Sequence, residues 1–321
     1  MQFLKRQWFL TCLAVILVLG FLFPRFFAPL AQAKVVRDSV VAAVLFLMAL
    51  PLQTRQIGRS LRNPGVALLA SAVNVGLLPL VAWGLAFFLE GDLRTGLFVI
   101  AAAPCTLASA AVWTRRAGGD ETVALMVTVL TNASCFLITP LWLMLTTGTQ
   151  VDLQESGAAK PGSMVFQLGL LVVLPMAMAQ LLRQIDLIGR VAMQHKTLLS
   201  TVAQAGILTM VLVGATQCGL KLEGLNRLPL WDMGLMVLVV LALHLIVLNL
   251  GLAIAKALGI SRPGQIAVGI AGSQKTLMVG IHIASSHFGG LTILPMVAYH
   301  VGQLVLDTII ADRLRKRSEQ R

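Results

Sequence analysis

Ten apolar runs of about 20 residues recur along this 321-residue chain, with short polar stretches between them. A helix of that length crosses the ~30 Å hydrocarbon core of a bilayer, and in lipid only helices or closed barrels satisfy their own backbone. Composition points the same way. Only 12% of residues are charged and the mean hydropathy is +0.86, whereas soluble domains carry about 25% charged residues. The expected fold class is therefore an all-α polytopic membrane protein with about ten transmembrane helices and no separate soluble domain. The spans fall near 7–23, 36–53, 65–88, 95–114, 121–146, 163–182, 197–217, 233–257, 263–286 and 291–311.

The start of the chain resembles a signal peptide, with Lys5 and Arg6 before an apolar run and Ala31-Gln-Ala33 as a cleavage-like site. The run from Trp8 to Phe23 is long, however, and Pro24-Arg-Phe-Phe27 separates it from the small residues. A retained first span is expected. Cys12, Cys105, Cys135 and Cys218 all lie in apolar runs without CxxC spacing, so neither a disulfide framework nor a zinc site is expected.

The net charge of +12 could indicate nucleic acid, but its distribution reads as topology. With the N-terminus inside, 17 Lys and Arg, among them Arg55, Arg59 and Arg62, fall on one set of loops and 7 on the other. An excess of this kind marks the cytoplasmic side. Both termini are expected there, with the lipid bilayer as the partner and no nucleic acid. The longest polar loop then divides the chain. Residues 1–146 form a first five-helix repeat, 147–162 an extracytoplasmic connection, 163–312 a second, inverted repeat and 313–321 a basic cytoplasmic tail.

Two spans are interrupted. Gly269-Ile-Ala-Gly-Ser-Gln-Lys-Thr276 places a serine, a glutamine, a lysine and a threonine inside the ninth. A lysine at bilayer depth costs roughly 3 kcal/mol on insertion scales, and the two glycines suggest local unwinding near Gly272. Ala103-Pro-Cys-Thr-Leu-Ala-Ser109 breaks the fourth span about 168 residues earlier. Breaks at matching places in two inverted halves point to the binding site of a secondary transporter. The two breaks are expected to cross at the midplane. Positive half-helix ends attract anions there, and free carbonyls, hydroxyls and amides bind small cations.

Other polar residues at depth join them. Asn74 lies in the third span, and Thr128, Thr131 and Asn132 share one face of the fifth. His300, Gln303 and Asp307 share one face of the tenth, where Asp307 is expected to meet Arg313 or the interface. Candidates for the coupling ion are Asn74, Ser109, Thr128, Asn132, Ser273 and Gln274. Candidates for the solute are Thr106, Lys275, Thr276 and His300. Lys275 could pair with an anionic group, stand in place of a bound cation, or lose its proton in one state. Gly118-Gly-Asp-Glu121 is expected to cap the fifth helix. No HExxH pair, GxSxG motif or paired midplane aspartates occur, so an enzyme is not expected.

The chain resembles the bile acid:sodium symporter superfamily, especially the branch of the sodium/bile acid cotransporter 7 proteins. The resemblance rests on Ala103-Pro-Cys-Thr-Leu-Ala-Ser109 through Gly118-Gly-Asp-Glu121 to Thr139-Pro140, on Gly272-Ser-Gln-Lys-Thr276, and on Asn74 before Pro79. It implies a panel domain and a core domain in a bacterial inner (plasma) membrane, and symport of a small organic anion with Na⁺ or H⁺ and no other cofactor. It also implies that Asn74 and Gln274 match amides of one sodium site, and Ser109 and Thr128 ligands of the other. The chain departs from that pattern at four positions. Ala110 stands for an asparagine, Ala124 for a serine, Ile270 for an acid and Lys275 for a neutral amide. Fewer oxygens and an added positive charge disfavour sodium. The alternatives are an arsenite-type efflux permease with Cys105 as soft ligand, and a membrane regulator that transports nothing.

Overall fold

The structure, a computed structural model, describes residues 8–52, 64–148, 161–224 and 230–319. Every regular element among them is helical. In chain order they are α1 (Trp8–Leu22), α2 (Pro24–Gln32), α3 (Lys34–Ala49), α4 (Pro64–Phe88), α5 (Gly91–Ala102), α6 (Ser109–Arg116), α7 (Glu121–Thr147), α8 (Pro161–Leu168 continued by Leu174–Leu182), α9 (Asp186–Gln194), α10 (Lys196–Glu223), α11 (Leu230–Ala257), α12 (Arg262–Ser273), α13 (Leu277–Ile283) and α14 (Ile293–Glu319). Single π turns lie within α4 at Val73–Leu77, between the halves of α8 at Gly169–Val173, and after α13 at Ala284–Phe288.

Among the described residues, seven helices are long and apolar enough to cross a membrane, or eight if α1 and α2, bent by 101° at Pro24, count as one span. That is fewer than the ten apolar runs predict. Two causes are visible. Helix α3 has only 16 residues, and the stretch from Gly91 to Arg116 is two helices of 12 and 8 residues rather than one. Most of loop 147–162 lies outside the described residues, as do Arg55, Arg59 and Arg62.

Helix packing falls into two groups. Helix α10 packs on α1, α2 and α3, and α3 packs on α8. In the other group, α12 packs on α11, α4, α7 and α6, while α14 packs on α11, α5 and α6. Large apolar side chains such as Leu68, Leu80 and Trp83 on α4 and Trp231 and Leu238 on α11 are exposed, as expected of a surface that meets lipid. The stretch Arg262–Phe288 is the exception. Its whole apolar window is buried inside protein, so the element with the most polar interior is also the one kept from lipid.

The sequence is corrected at several ends. The tail from Arg313 to Glu319 continues α14 as helix. Helices α2 and α9 occupy stretches expected to be loops. Asp120 accepts from Thr122 N at 2.9 Å and caps α7, as its position predicts. The two glycines of the ninth span do not unwind it. Gly269 and Gly272 are helical, and each allows a close approach instead. A Cβ at Gly269 would lie 2.8 Å from Leu252 Cγ and 3.0 Å from Leu248 O, and one at Gly272 would lie 2.6 Å from Val73 Cγ1. Small residues of this kind let membrane helices touch backbone to backbone. Gly269→Val is therefore expected to push α12 from α11 and destabilise the protein by about 1–3 kcal/mol. A thermal melt of the purified variant in detergent would read this. An unchanged midpoint would mean that the contact is not tight.

Candidate functional site

The two breaks meet. The first runs from Ala103 to Ala108 and has a local cause. Pro104 offers no N–H to α5, and a proline holds the residue before it extended. Ala103 sits at φ −65°, ψ 150°. The second break spans Gln274 to Thr276, with Gln274 and Thr276 also extended. It contains no proline. Where they touch, Thr276 N donates to Pro104 O at 2.9 Å.

Unwound backbone inside protein must find partners for its carbonyls, and here those of residues 101–106 and 273–276 do. In the first break and the turn before it, Ala101 O and Ala103 O accept from Lys275 Nζ at 2.9 and 2.7 Å. Thr139 Oγ1 donates to Ala102 O at 2.7 Å. Asn132 Nδ2 donates to Cys105 O at 2.9 Å, and Thr128 Oγ1 to Thr106 O at 2.8 Å. Thr131 Oγ1 accepts from Cys105 N at 3.1 Å, and Thr106 Oγ1 from Ala110 N at 3.0 Å. The polar face of α7 thus acts as a second backbone for residues 102–106.

Side chains from three other helices hold the second break. Asn74 Nδ2, in the π turn of α4, lies 3.1 Å from Ala271 O, 3.2 Å from Gly272 O and 2.9 Å from Gln274 O. Gln303 from α14 pairs with Lys275 as a strand would, taking its N–H and giving to its C=O, both at 3.0 Å. Tyr299 OH donates to Ser273 O at 2.5 Å, and His244 Nδ1 of α11 approaches the same oxygen at 3.4 Å. Ser273 Oγ bonds back to Ile270 O at 3.2 Å.

Lys275 is fully buried. Its ammonium lies 2.8 Å from Asn74 O, 3.2 Å from Asn74 Oδ1, 2.9 Å from Ala101 O and 2.7 Å from Ala103 O. An ammonium has three N–H donors, so four oxygens leave it none to offer a solute. Gln274 is the other hub. Its Oε1 accepts from Thr106 Oγ1 at 3.0 Å and Ser109 Oγ at 2.9 Å, while its Nε2 donates to Asp307 Oδ2 at 2.5 Å. Asp307 therefore does not meet Arg313 or an interface. It is fully buried, with His244 Nε2 on its other oxygen at 2.9 Å.

A cavity of about 240 Å³ opens beside this crossing. Leu107, Ala108 and Ala111 of the first break and α6 line it, with Leu47 and Met48 of α3 and Met193 of α9 opposite. Arg115 and Lys196 supply positive charge, and Arg115 is bound to Glu121 at 3.1 Å. Ser109, half-buried, lies next to the lining residue Ala108. The lining does not include Cys105, which is fully buried with Sγ 3.4 Å from Ala271 O.

The profile of the SBF-like CPA transporter family matches residues 7–316. The chain belongs to that family. It is 26% identical over 312 residues to an uncharacterized sodium-dependent transporter of Bacillus subtilis, covering 96% of this chain and 90% of the relative. It is 22% identical over 333 residues to sodium/bile acid cotransporter 7-B of Xenopus laevis, covering 97% and 92%. Over 248 residues it is 25% identical to a putative symporter of Escherichia coli, covering 75% and 71%. The bile acid:sodium symporter resemblance read from the motifs is thus correct. As a member of the SBF-like CPA family, the chain is a multi-pass membrane protein and a transporter, not an enzyme.

Nine of the ten candidate residues form the crossing or hold it directly, and His300 reaches it through Gln303 Nε2 at 3.0 Å. Sequence reasoning missed three further members of this SBF-like CPA crossing. They are His244 in an otherwise apolar span, Tyr299 and Thr139. A lone ionisable residue at depth is the signal that could have singled out His244. Of the four positions where the resemblance implies a departure, Ala110, Ala124 and Ile270 are fully buried and bring no oxygen-bearing side chain.

Proposed function

We propose that this SBF-like CPA family member is a secondary active transporter of a small organic anion, coupled to Na⁺ or H⁺, working by alternating access about the crossed breaks. Lys275 carries the reading. Its ammonium fills a cradle of four oxygens of the kind that unwound carbonyls and amides offer a small cation. In this reading Lys275 is a resident cation rather than the solute's partner. The ion-site residues Asn74, Ser109, Thr128, Asn132, Ser273 and Gln274 hold the crossing around it. The solute occupies the cavity, not the buried groups of Thr106, Thr276 and His300.

The cavity fits such a solute. Its walls are mostly apolar, and Lys196 stands at its edge beside the Arg115–Glu121 pair, a net positive charge that suits a body of carbon with one negative group. The relatives named sodium/bile acid cotransporter 7 point to the same chemical class. The positive-inside bias puts Arg115 and Lys196 at the cytoplasmic face, so the cavity is open inward and both termini are cytoplasmic. Ten spans in two inverted repeats, 1–146 and 163–312, in a bacterial inner membrane complete the reading.

The opposite route is closed but polar. Arg37 Nε and Asp38 Oδ1 of α3, His282 Nε2 of α13, and Ser285 Oγ, Ser286 Oγ and His287 Nε2 of the following π turn are buried without hydrogen bonds, and Asp38 Oδ1 lies 3.7 Å from His282 Nδ1. They lie about 15 Å along α3 from the cavity's Leu47 and Met48. Alternating access would hydrate this seam. Ala108→Cys is thus expected to react with a membrane-impermeant maleimide from the cytoplasmic side, and Ser285→Cys from the other side only in the outward state. Labelling of both from one side would sink this.

The direct test is uptake into proteoliposomes of a panel of bile-acid, steroid-sulfate and dicarboxylate anions, under imposed Na⁺ and pH gradients. At least one anion should accumulate when a gradient is present. If none accumulates under either, the coupled-transport reading fails.

A further inference from the structure

Asp307 is a carboxylate buried without a Lys or Arg. Its two oxygens meet His244 Nε2 at 2.9 Å and Gln274 Nε2 at 2.5 Å, and the side chains of Asp307 and His244 are 0% and 1% exposed. A charge so placed is tolerated only when paired and hydrogen-bonded. The hydrogen bonds around the pair fix how many protons it holds. Gln274 Oε1 accepts from two hydroxyls, which leaves its NH₂ to donate to Asp307. His244 Nδ1 lies 3.4 Å from Ser273 O, which only accepts, so the contact suits the tautomer with a hydrogen on Nδ1. The contact between Nε2 and Asp307 Oδ1 then needs one more proton. It is shared as imidazolium with carboxylate or as imidazole with carboxylic acid, and the count is one in both forms. Without it, the Nε2 lone pair would face a carboxylate at 2.9 Å, an arrangement that repels.

We propose that the His244–Asp307 pair is a proton-binding site, and that its proton locks Gln274 and with it the crossed breaks in the state seen here. The inference rests on the transport reading and names its coupling ion. Proton loss leaves Asp307 free to turn from His244. Gln274 then loses its fixed acceptor, and the Thr106 and Ser109 hydroxyls lose theirs. Ser109 stands beside the cavity, so solute and proton would sense each other through one amide.

The ionisable surroundings of the pair are few. Tyr299 of α14 meets the His244 ring edge-on, with centroids 5.7 Å apart, and spends its hydroxyl on Ser273 O. Lys275 and Cys105 lie in the crossing, bonded to other oxygens, and His300 is bonded to Gln303. Helix α4 carries no ionisable residue, and α12 only Arg262 at its start. From α6, Arg116 is held by Asp312 at 2.8 Å.

The test uses the full chain, purified in detergent, with ¹⁵N-labelled histidine and no solute. His244 is assigned by its loss in His244→Gln. A pH series followed at the His244 ring nitrogens should show one proton leaving the pair. Over the same series, amide exchange at residues 105–110 and 273–276, corrected for base catalysis, should rise about ten-fold or more. Asp307→Asn should abolish both changes. If that variant does not fold, the native protein decides alone. A His244 signal that never changes, or exchange at the breaks that ignores its titration, overturns the proposal. No solute is needed, so such a failure leaves the transport reading standing. A pair that titrates as expected in a protein that accumulates no anion supports the proton site and sinks the transport reading.

Discussion

Lys275→Ala is expected to make the stability of the protein depend on sodium at the crossing. Removing the ammonium leaves Asn74 O, Asn74 Oδ1, Ala101 O and Ala103 O facing one another around an unfilled space. Leaving a buried acceptor without its donor costs about 1–3 kcal/mol, and several are left so here. At roughly 2–4 °C per kcal/mol for a large domain, the melting temperature in choline chloride should fall by about 10 °C. The exposed set is of carbonyl and amide oxygens, the kind that holds Na⁺ in unwound helices. Sodium chloride should therefore restore part of the loss in the variant, beyond any shift it gives the native chain. Lys275→Met separates the effects, since its longer side chain fills the space and should leave less room for an ion. Melting curves of all three proteins in sodium and choline salts decide the matter. Equal curves in both salts for Lys275→Ala would show that the four oxygens are not a cation cradle. Anion uptake by Lys275→Ala should fall with stability, and sodium should recover it in parallel.

The two breaks differ in how openly the sequence announces them. The first is written locally, because Pro104 alone forbids a helical bond and extends Ala103. The second is visible only as polar residues in an apolar run, and its position is easily misjudged. Gly272 looks like the point of unwinding but serves packing against Val73. The unwound residues are 274–276, held open by Asn74 and Gln303, which stand 200 and 28 residues away in the chain. No local pattern encodes such a partner.

Asp307 is misread for a related reason. With α14 ended near residue 311 it sits at an interface. With α14 continuing to Glu319 it stands about three turns inside. The basic tail made the helix look finished before it was. The polar stripe Thr128, Thr131 and Asn132 was legible because its spacing is local, and it holds the first break as its period implies. His244 escaped notice because a single histidine in a 28-residue apolar helix forms no pattern. The span count meets the same limit. Hydrophobicity marks ten runs, but it cannot tell a full crossing from a 16-residue helix or from two short ones meeting at a break.

Gln274→Leu should have the largest effect on transport of any uncharged substitution in the crossing. The glutamine is the one side chain that joins the first break to α14. Leucine keeps the volume and removes every bond. Asp307 Oδ2 loses its donor, and the Thr106 and Ser109 hydroxyls lose their shared acceptor. A buried carboxylate left with one partner and the stranded Thr106 hydroxyl (Ser109 Oγ keeps Thr106 Oγ1 at 2.7 Å) together cost at least ~3 kcal/mol, equivalent to about a hundred-fold loss of the competent state. Ser109→Ala makes the contrast. Ser109 is only half-buried, and Thr106 keeps its own bond to Gln274 Oε1 and still caps α6 through Ala110 N. Its loss should lower uptake by no more than about three-fold, in line with a single neutral hydrogen bond. Both are measured as initial uptake rates in proteoliposomes of whichever anion the panel selects, with the gel-filtration profile reporting folding. A well-folded Gln274→Leu protein within about three-fold of the native rate would show that the breaks do not communicate through this amide. Coupling would then have to run through the other ties between the breaks, which include Lys275 Nζ on Ala101 O and Ala103 O and the backbone contact between Thr276 and Pro104.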